Sequence, residues 1–108
     1  MEKHTKTYIV TGIVEEVGLP AFEPIQHIGH INIKITALPQ DYIITAKIKC
    51  DGSSLLFYQA EHLIKGEFVK ITGEHFSKTH GVSELTHITD IEVLDDKAYR
   101  QMNLKEEI

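Results

Sequence analysis

The 108-residue sequence predicts a mainly β protein, a small five-stranded barrel with one short helix. Three observations lead to this prediction. Several short segments rich in β-branched residues alternate apolar with polar side chains, which is typical of strands with one buried face. One later segment changes to helical spacing. The length fits one domain, and the 42% of hydrophobic residues is ordinary for a globular protein.

The first strand is predicted from Tyr8 to Val17, where β-branched and aromatic residues are dense. Gly12 lies in its middle, and the missing side chain permits a bulge or a sharp coil there. The stretch from Gly18 to about Ile28 holds two prolines and has no clear period, so it is predicted to be a long loop.

The second strand carries the clearest signal in the chain, a two-residue alternation of isoleucines with polar residues. The isoleucines are Ile31, Ile33 and Ile35, and the polar residues are Asn32, Lys34 and Thr36. We expect the isoleucines to face the core and the polar row to face solvent.

The third strand is predicted from Tyr42 to Cys50 by the same alternation. Its inward row is Ile44, Ala46, Ile48 and Cys50, and its outward row is Thr45, Lys47 and Lys49. Cys50 is the single cysteine, which excludes an intramolecular disulfide, and we expect its thiol to be buried and inert.

Helical spacing begins after the Asp51-Gly52 turn. The apolar stripe of this predicted helix is Leu56, Ala60, Leu63 and Ile64, with Ser53 or Ser54 as its N-terminal cap and Gly66 at its end. A fourth strand follows from Phe68 to Glu74, with Val69 and Ile71 inward.

The residues from His75 to Val82 are predicted to be a hairpin loop. The fifth strand is predicted from about Glu84 to Leu94, and its core residues are predicted to be Leu85, Ile91 and Val93.

Three strands, a helix and two further strands are the element order of the OB fold, a five-stranded Greek-key barrel with one short helix between its third and fourth strands. A first strand broken by glycine suits this barrel, because that strand must coil far enough to pair on both sides. We predict an all-β (mainly) OB-fold domain over residues 7–95, a flexible N-terminus over 1–6, and a C-terminal tail or short helix over 96–108. Another small α+β domain is the alternative.

Three segments resemble bacterial single-stranded DNA-binding proteins. The segment from Ile64 to Glu74 resembles the K-G-D-x-V-x-V-x-G pattern that leads into their fourth strand. The stretch from Gly81 to Asp95 is similar to their hairpin and closing strand, and to those of PriB-like relatives, and the stretch from Tyr8 to Val14 is similar to their opening strand. The resemblance implies an OB fold and a role in binding single-stranded DNA.

An OB fold binds its ligand on the outer face of strands two and three, where the predicted outward rows hold lysines and no carboxylate. Single-stranded nucleic acid binding needs cations for phosphates and flat side chains for bases. We expect the lysines to contact phosphates and Tyr42 or Tyr58 to stack on bases, with Phe22 and Phe76 in the flanking loops. The predicted binding residues are Asn32, Lys34, Tyr42, Lys47, Lys49, Tyr58 and Lys70.

The main alternative is a protein-interaction OB domain, a scaffold or accessory subunit that docks through its sheet face or its C-terminal tail. The formal charge of −5 and the absence of tryptophan favour it. The predicted partners are therefore single-stranded DNA or RNA, further copies of the chain whose faces add affinity, or a protein bound by the tail. No run of about 18 apolar residues predicts a membrane span, and we expect a cytoplasmic protein.

No acid–base pair, activated nucleophile or glycine-rich phosphate loop is apparent, so we predict that the protein is not an enzyme and needs no cofactor. Histidines at the two predicted long loops leave one alternative open, convergence of their imidazoles on a metal ion such as zinc or copper. These histidines are His27, His30, His75 and His80. We predict no metal, because they form no recognised ligand motif.

Overall fold

Long extended strands dominate the protein, and one short helix interrupts them. The computed structural model describes residues 6–94. The elements are β1 (Tyr8–Val17), β2 (Ala21–Glu23), β3 (Ile28–Ala37), β4 (Tyr42–Asp51), α1 (Leu55–Glu61), β5 (Phe68–Thr79) and β6 (Val82–Val93). The protein is therefore mainly β, as predicted.

Five of the strands close into a barrel because β1 pairs with two neighbours. Its first half pairs with β5 and its second half with β3, and the remaining order is β5-β6-β4-β3, with β2 at the outer edge of β3. All pairs are antiparallel except β4 with β6, which is parallel. Gly12 is opposite Val69 on one side and Ala37 on the other, and a Cβ at this position would collide with the carbonyl oxygen of Thr36. The glycine therefore allows the strand to change partners, which is the role predicted for it.

The barrel interior is filled by the rows that the alternation assigned to it. Ile31, Ile33 and Ile35 are buried on β3. Ile44, Ala46 and Ile48 are buried on β4, and Cys50 at the end of that row is only half-buried. Full burial of one such aliphatic side chain stabilises the fold by about 1.5–3 kcal/mol. These rows supply much of the free energy that holds the barrel together.

The helix is shorter than predicted, and its buried face agrees with the predicted stripe only in part, since Ala60 and Leu63 are buried. Ser54 is the N-cap, as one of the two alternatives proposed, and its hydroxyl accepts a hydrogen bond from the backbone N–H of Phe57. Phe57 is fully buried, whereas Ile64 is 66% exposed, so the predicted stripe is wrong at both places. The helix ends at Glu61 and is capped by His62, so Ile64 lies beyond it, and Gly66 lies in the following turn.

Room for Phe57 comes from β3. A Cβ on Gly29 would be 2.5 Å from a ring carbon of Phe57, so only glycine at this position lets the ring insert at the end of the barrel. Helical periodicity alone does not predict which side of a two-turn helix faces the barrel.

The predicted loop from His75 to Val82 is wrong, because β5 and β6 continue through it. Their ladder extends to Thr79 opposite Val82 and leaves a two-residue turn, His80-Gly81. Both turn residues have positive φ, 53° and 79°, as the tightest hairpin turns with a right-handed twist require. This part of the hairpin extends beyond the end of β1, so the residues of β5 have no buried face that would produce an alternating pattern.

Two further corrections concern strand ends. The predicted loop from Gly18 to Ile28 contains the short strand β2, which pairs with the beginning of β3. On β6, Leu85 and Ile91 are buried as predicted, but Val93 is 52% exposed because it is the last residue of the strand, at the barrel rim.

The predictions for the two chain ends fall almost entirely outside the described residues. The N-terminal segment 1–6 contributes only Lys6, and the tail 96–108 contributes nothing to the described part. Within residues 6–94, the single helix has seven residues, too few to cross a membrane.

Candidate functional site

A surface groove lies where β4 and β6 separate. The two strands pair only from Ile44 opposite Ser83 to Ala46 opposite Leu85, and beyond this point they diverge. The opening has a volume of about 540 Å³ and is floored by Ile48. The polar residues that line it are His30 and Asn32 of β3, Lys47 and Lys49 of β4, and Thr86 and His87 of β6.

The groove concentrates positive charge in an acidic protein. Lys47 and Lys49 are exposed on the outer face of β4, opposite Asn32 and His30 of β3 respectively. No carboxylate of residues 6–94 lines the groove. Lys49 has no ion-pair partner in the described part of the chain, so its ammonium group is available to an anion.

The other three predicted lysines, Lys34, Lys47 and Lys70, each have a carboxylate within ion-pair distance. Lys47 Nζ is 2.7 Å from a carboxylate oxygen of Glu84, which lies outside the groove lining. Lys34 Nζ is 3.3 Å from Glu16, and Lys70 Nζ is 3.2 Å from Glu92. All these groups are substantially exposed, so each pair contributes only about 0–1 kcal/mol and a competing phosphate can displace it. The cationic row is therefore strongest at Lys49.

The outer row of β4 also contains the carboxylate of Asp51, which the predicted strand did not include because it ended at Cys50. β4 continues to Asp51, two residues beyond Lys49 on the same face. Asp51 Oδ1 accepts hydrogen bonds from the hydroxyl of Ser53 at 2.6 Å and from its backbone N–H at 2.8 Å. The hydrogen bond from the Ser53 hydroxyl is the main cause that lowers the pKa of Asp51, and the bond from the Ser53 backbone is the second. Burial has a small opposing effect, and the nearby His27 lowers the pKa slightly further. The carboxylate is thus held by the turn and forms no ion pair with Lys49.

The two predicted stacking residues lie outside the groove. Tyr42 begins β4, roughly 16 Å along the strand from Lys47 and on the opposite parity. It lines a different surface depression with Ile43 and Phe76. Tyr58 is on α1, and its ring is stacked on His62 with centroids 4.0 Å apart.

The predicted site residues therefore separate into two sets. Asn32, Lys47 and Lys49 meet in the groove, and Lys34 is on the same face of β3, beside them. Lys70 lies outside the groove, because it is opposite Glu92 on the β5–β6 ladder. Glu92 is seven residues along β6 from Leu85, the last residue that pairs with β4. Three of the seven predicted site residues therefore line the groove.

Three groove residues were missed by the sequence prediction. His30 continues the outward row of Asn32 and Lys34 just before the predicted second strand, and Thr86 lies next to the inward Leu85 in the predicted fifth strand, so alternation could have found both. His87 carries no such signal, because alternation from the buried Leu85 assigns it to the interior. Its φ of 54° is left-handed, and it is exposed.

His27 and His80, one from each predicted loop, do not converge. The carbonyl of His27 accepts a hydrogen bond from Gly52 just beyond the end of β4, whereas His80 lies in the β5–β6 turn, near the start of β4. The two are separated by most of the length of that strand, roughly 25 Å. In residues 6–94, no group of three or more His, Cys, Asp or Glu side chains is arranged to hold a metal ion.

The fold and the groove together define a small closed β-barrel protein with a cationic surface groove. Comparison of the chain with protein-family models and with curated proteins finds no match. Inference about its function therefore depends on the chemistry of the groove.

Proposed function

We propose that the barrel is an OB fold and that it binds single-stranded nucleic acid, most favourably single-stranded DNA, in the groove between β4 and β6. The strand order β1-β3-β4-β6-β5, the parallel pairing of β4 with β6, and a helix between β4 and β5 support this fold. In that fold the strands β3 and β4 form the ligand face.

The observation that carries the proposal is the composition of the groove. The chain has a formal charge of −5, yet the polar lining of this groove is two lysines, two histidines, an asparagine and a threonine. This set supplies donors and positive charge, which suits a polyanion. A groove for a cationic partner would require carboxylates instead.

The outward rows of β4 and β3 would contact different parts of the nucleic acid. The ammonium groups of Lys47 and Lys49 contact phosphates. Asn32 of β3, opposite Lys47, offers an amide that donates to and accepts from a base edge. Two lysine–phosphate contacts on single strands predict a salt slope, d log K/d log[salt], of about −1.4. Binding by one copy is therefore weak and salt-sensitive, and several copies on one strand bind more tightly.

The test is an anisotropy titration of a labelled strand of about 25 nucleotides, which is longer than one OB-sized site. We expect the wild type to bind at low salt, and the Lys49→Glu variant to bind about tenfold more weakly, because a charge-assisted contact is lost. The salt slope of the variant should decrease in magnitude by about 0.7, the value for one phosphate contact.

The matched control is Lys65→Glu, which makes the same change of charge on an exposed lysine outside the groove. It should bind within about twofold of the wild type, since only long-range screened repulsion changes. Equal weakening by both variants would mean that net charge, and not the groove, governs binding.

Protein interaction is the second candidate, and a separate surface favours it. Tyr42, Ile43 and Val82 are large, exposed and apolar, and they lie close together where the start of β4 meets β6. Exposed apolar patches of this kind mark docking surfaces. Absence of oligonucleotide binding at tens of micromolar protein, combined with binding of a protein partner that Ile43→Glu abolishes, would favour this candidate.

A further inference from the structure

The groove proposed above has phosphate-binding cations, but no phenylalanine or tyrosine of residues 6–94 lines it. Three of the four rings predicted to stack or to flank the site contact other rings, and one of them, Tyr58, stacks on His62. Phe22 packs on the buried Phe57 at 5.3 Å between centroids, and Phe76 packs on Tyr8 at 6.0 Å. Among the described residues, the rings on which a base in the groove can stack are therefore the imidazoles of His30 and His87.

His87 is the more exposed of these two imidazoles. Leu85 and Ile88 are both buried although they are three residues apart, so the alternation of β6 is interrupted between them. The interruption coincides with the left-handed φ of His87, and it brings Thr86 and His87 to the groove together. Within residues 6–94, His87 is the one histidine with positive φ inside a strand, and such backbone is tolerated by histidine better than by most residues.

A second imidazole holds the His87 ring from the side. His75 of β5 is 6.2 Å away between centroids and nearly perpendicular, with an interplanar angle of 85°. This edge-on contact restricts the ring without covering both of its faces. His30, by contrast, is engaged with Glu23, with His30 Nε2 3.6 Å from the carboxylate.

We propose that His87 is the base-stacking residue of the groove, with a nucleobase of a single strand against its ring while Lys47 and Lys49 hold the adjacent phosphates. This inference rests on the proposed function and adds to it a specific residue. Histidine is among the side chains on which unpaired bases stack. The exposed ring, its lateral contact with His75 and its position among the groove cations are the features that a stacking platform requires.

The test uses His87→Gly and His87→Phe in the full chain. Glycine adopts positive φ freely, so His87→Gly removes the ring without straining the backbone. We expect its affinity for the oligonucleotide to fall about tenfold, the effect of losing one stacked base. His87→Phe restores a flat ring and should bind within about threefold of the wild type. A strand containing 2-aminopurine should lose fluorescence on binding the wild type and His87→Phe, but not His87→Gly.

The matched control is His80→Gly, because His80 has the same left-handed φ, 53°, but lies in the hairpin turn outside the groove. It should bind like the wild type. If His87→Gly does not fold by circular dichroism, His87→Asn takes its place, since asparagine also tolerates positive φ and has no aromatic ring.

The outcomes separate the two proposals. A wild type that fails to bind any single strand overturns the proposed function. A wild type that binds, with His87→Gly or His87→Asn binding equally well and quenching 2-aminopurine equally, overturns the role of His87 and leaves the groove intact. Loss of binding in His87→Gly with full recovery in His87→Phe supports the stacking role.

Discussion

Lysines on two parts of the barrel face different neighbours. On β3 and β5, Lys34 is directly opposite Glu16 of β1, and Lys70 is directly opposite Glu92 of β6, and each pair is within ion-pair distance. On β4, Lys47 and Lys49 are opposite Asn32 and His30. All four lysines occupy equivalent outward positions along their own strands, so the cross-strand residue is what distinguishes them.

The difference shows where positive charge remains available. A lysine with a carboxylate directly across the ladder is locally neutral, whereas one opposite an amide or an imidazole keeps its field. Lys47 is intermediate, because Glu84 reaches it diagonally: the residue opposite Glu84 is Thr45. Among these four lysines, the register of the barrel thus leaves positive charge available at Lys49 and partly at Lys47, in the groove between β4 and β6. Three substitutions test this explanation.

The largest effect is expected from Asn32→Glu, which places a carboxylate opposite Lys47 and reproduces the arrangement of Glu16 and Lys34. We expect oligonucleotide affinity to fall about tenfold in the anisotropy titration, because one phosphate contact is neutralised. Asn32→Gln, which adds length without charge, should stay within about twofold. Asn32 is exposed, so the unfolding free energy of both variants should change by less than about 0.5 kcal/mol. Equal losses in Asn32→Glu and Asn32→Gln would show that shape, and not charge across the ladder, controls the groove.

A smaller effect in the opposite direction is expected from Glu84→Gln. The substitution releases Lys47 from its carboxylate, so single-strand affinity should rise by up to about fivefold, the equivalent of one exposed ion pair. Glu92→Gln is the control, since it releases Lys70 outside the groove and should leave affinity unchanged. A gain in both variants would mean that the binding surface extends around the barrel to β5.

The smallest effect concerns Asp51, the carboxylate that shares the outer row of β4 with Lys49. Ser53→Ala removes the hydroxyl that is the main cause of the lowered pKa, so the pKa of Asp51 should return toward its ordinary value of 3.8. In the wild type, a folded-state pKa below the unfolded one contributes stability above the unfolded pKa, and this is lost as pH falls through the folded pKa. Ser53→Ala should therefore be less stable than wild type at neutral pH, and the difference should shrink below about pH 4.

Carboxyl chemical shifts followed by NMR across this range measure the pKa directly, and thermal unfolding at each pH measures the stability difference. With the Asp51 carboxylate less firmly held, it competes with the phosphate for Lys49. Affinity for the strand should therefore fall by less than about threefold. A stability difference that persists undiminished at low pH would assign the effect of Ser53 to the turn itself.

Burial was predictable wherever a strand has one face in the barrel. The bounds of β1, the isoleucine row of β3 and the inward row of β4 up to Ile48 were predicted correctly, because side chains on neighbouring positions of a strand point in opposite directions. Prediction failed where an element is short or leaves the barrel. A two-turn helix offers too few positions to define a face, so Phe57 was missed, and the extended hairpin beyond β1 has no buried row from Glu74 to Thr79.

The candidate site was predictable only in part, for the same physical reason. Asn32, Lys47 and Lys49 were found because they lie on regular outward rows. His87 was missed because its left-handed backbone interrupts the alternation on which the prediction depends. The tyrosines were misplaced because composition identifies an aromatic residue but not the surface that it occupies.

The amino-acid sequence by itself determined which residues of each strand enter the core and which face solvent, since this depends only on the two-residue repeat of an extended chain. Tertiary structure alone decided which solvent-facing charges meet. The ammonium of Lys47 and the carboxylate of Glu84 are 37 positions apart in the chain, yet 2.7 Å apart in the barrel. Because electrostatic interaction falls with distance in space and is indifferent to distance along the chain, the location of the cationic groove follows from strand register.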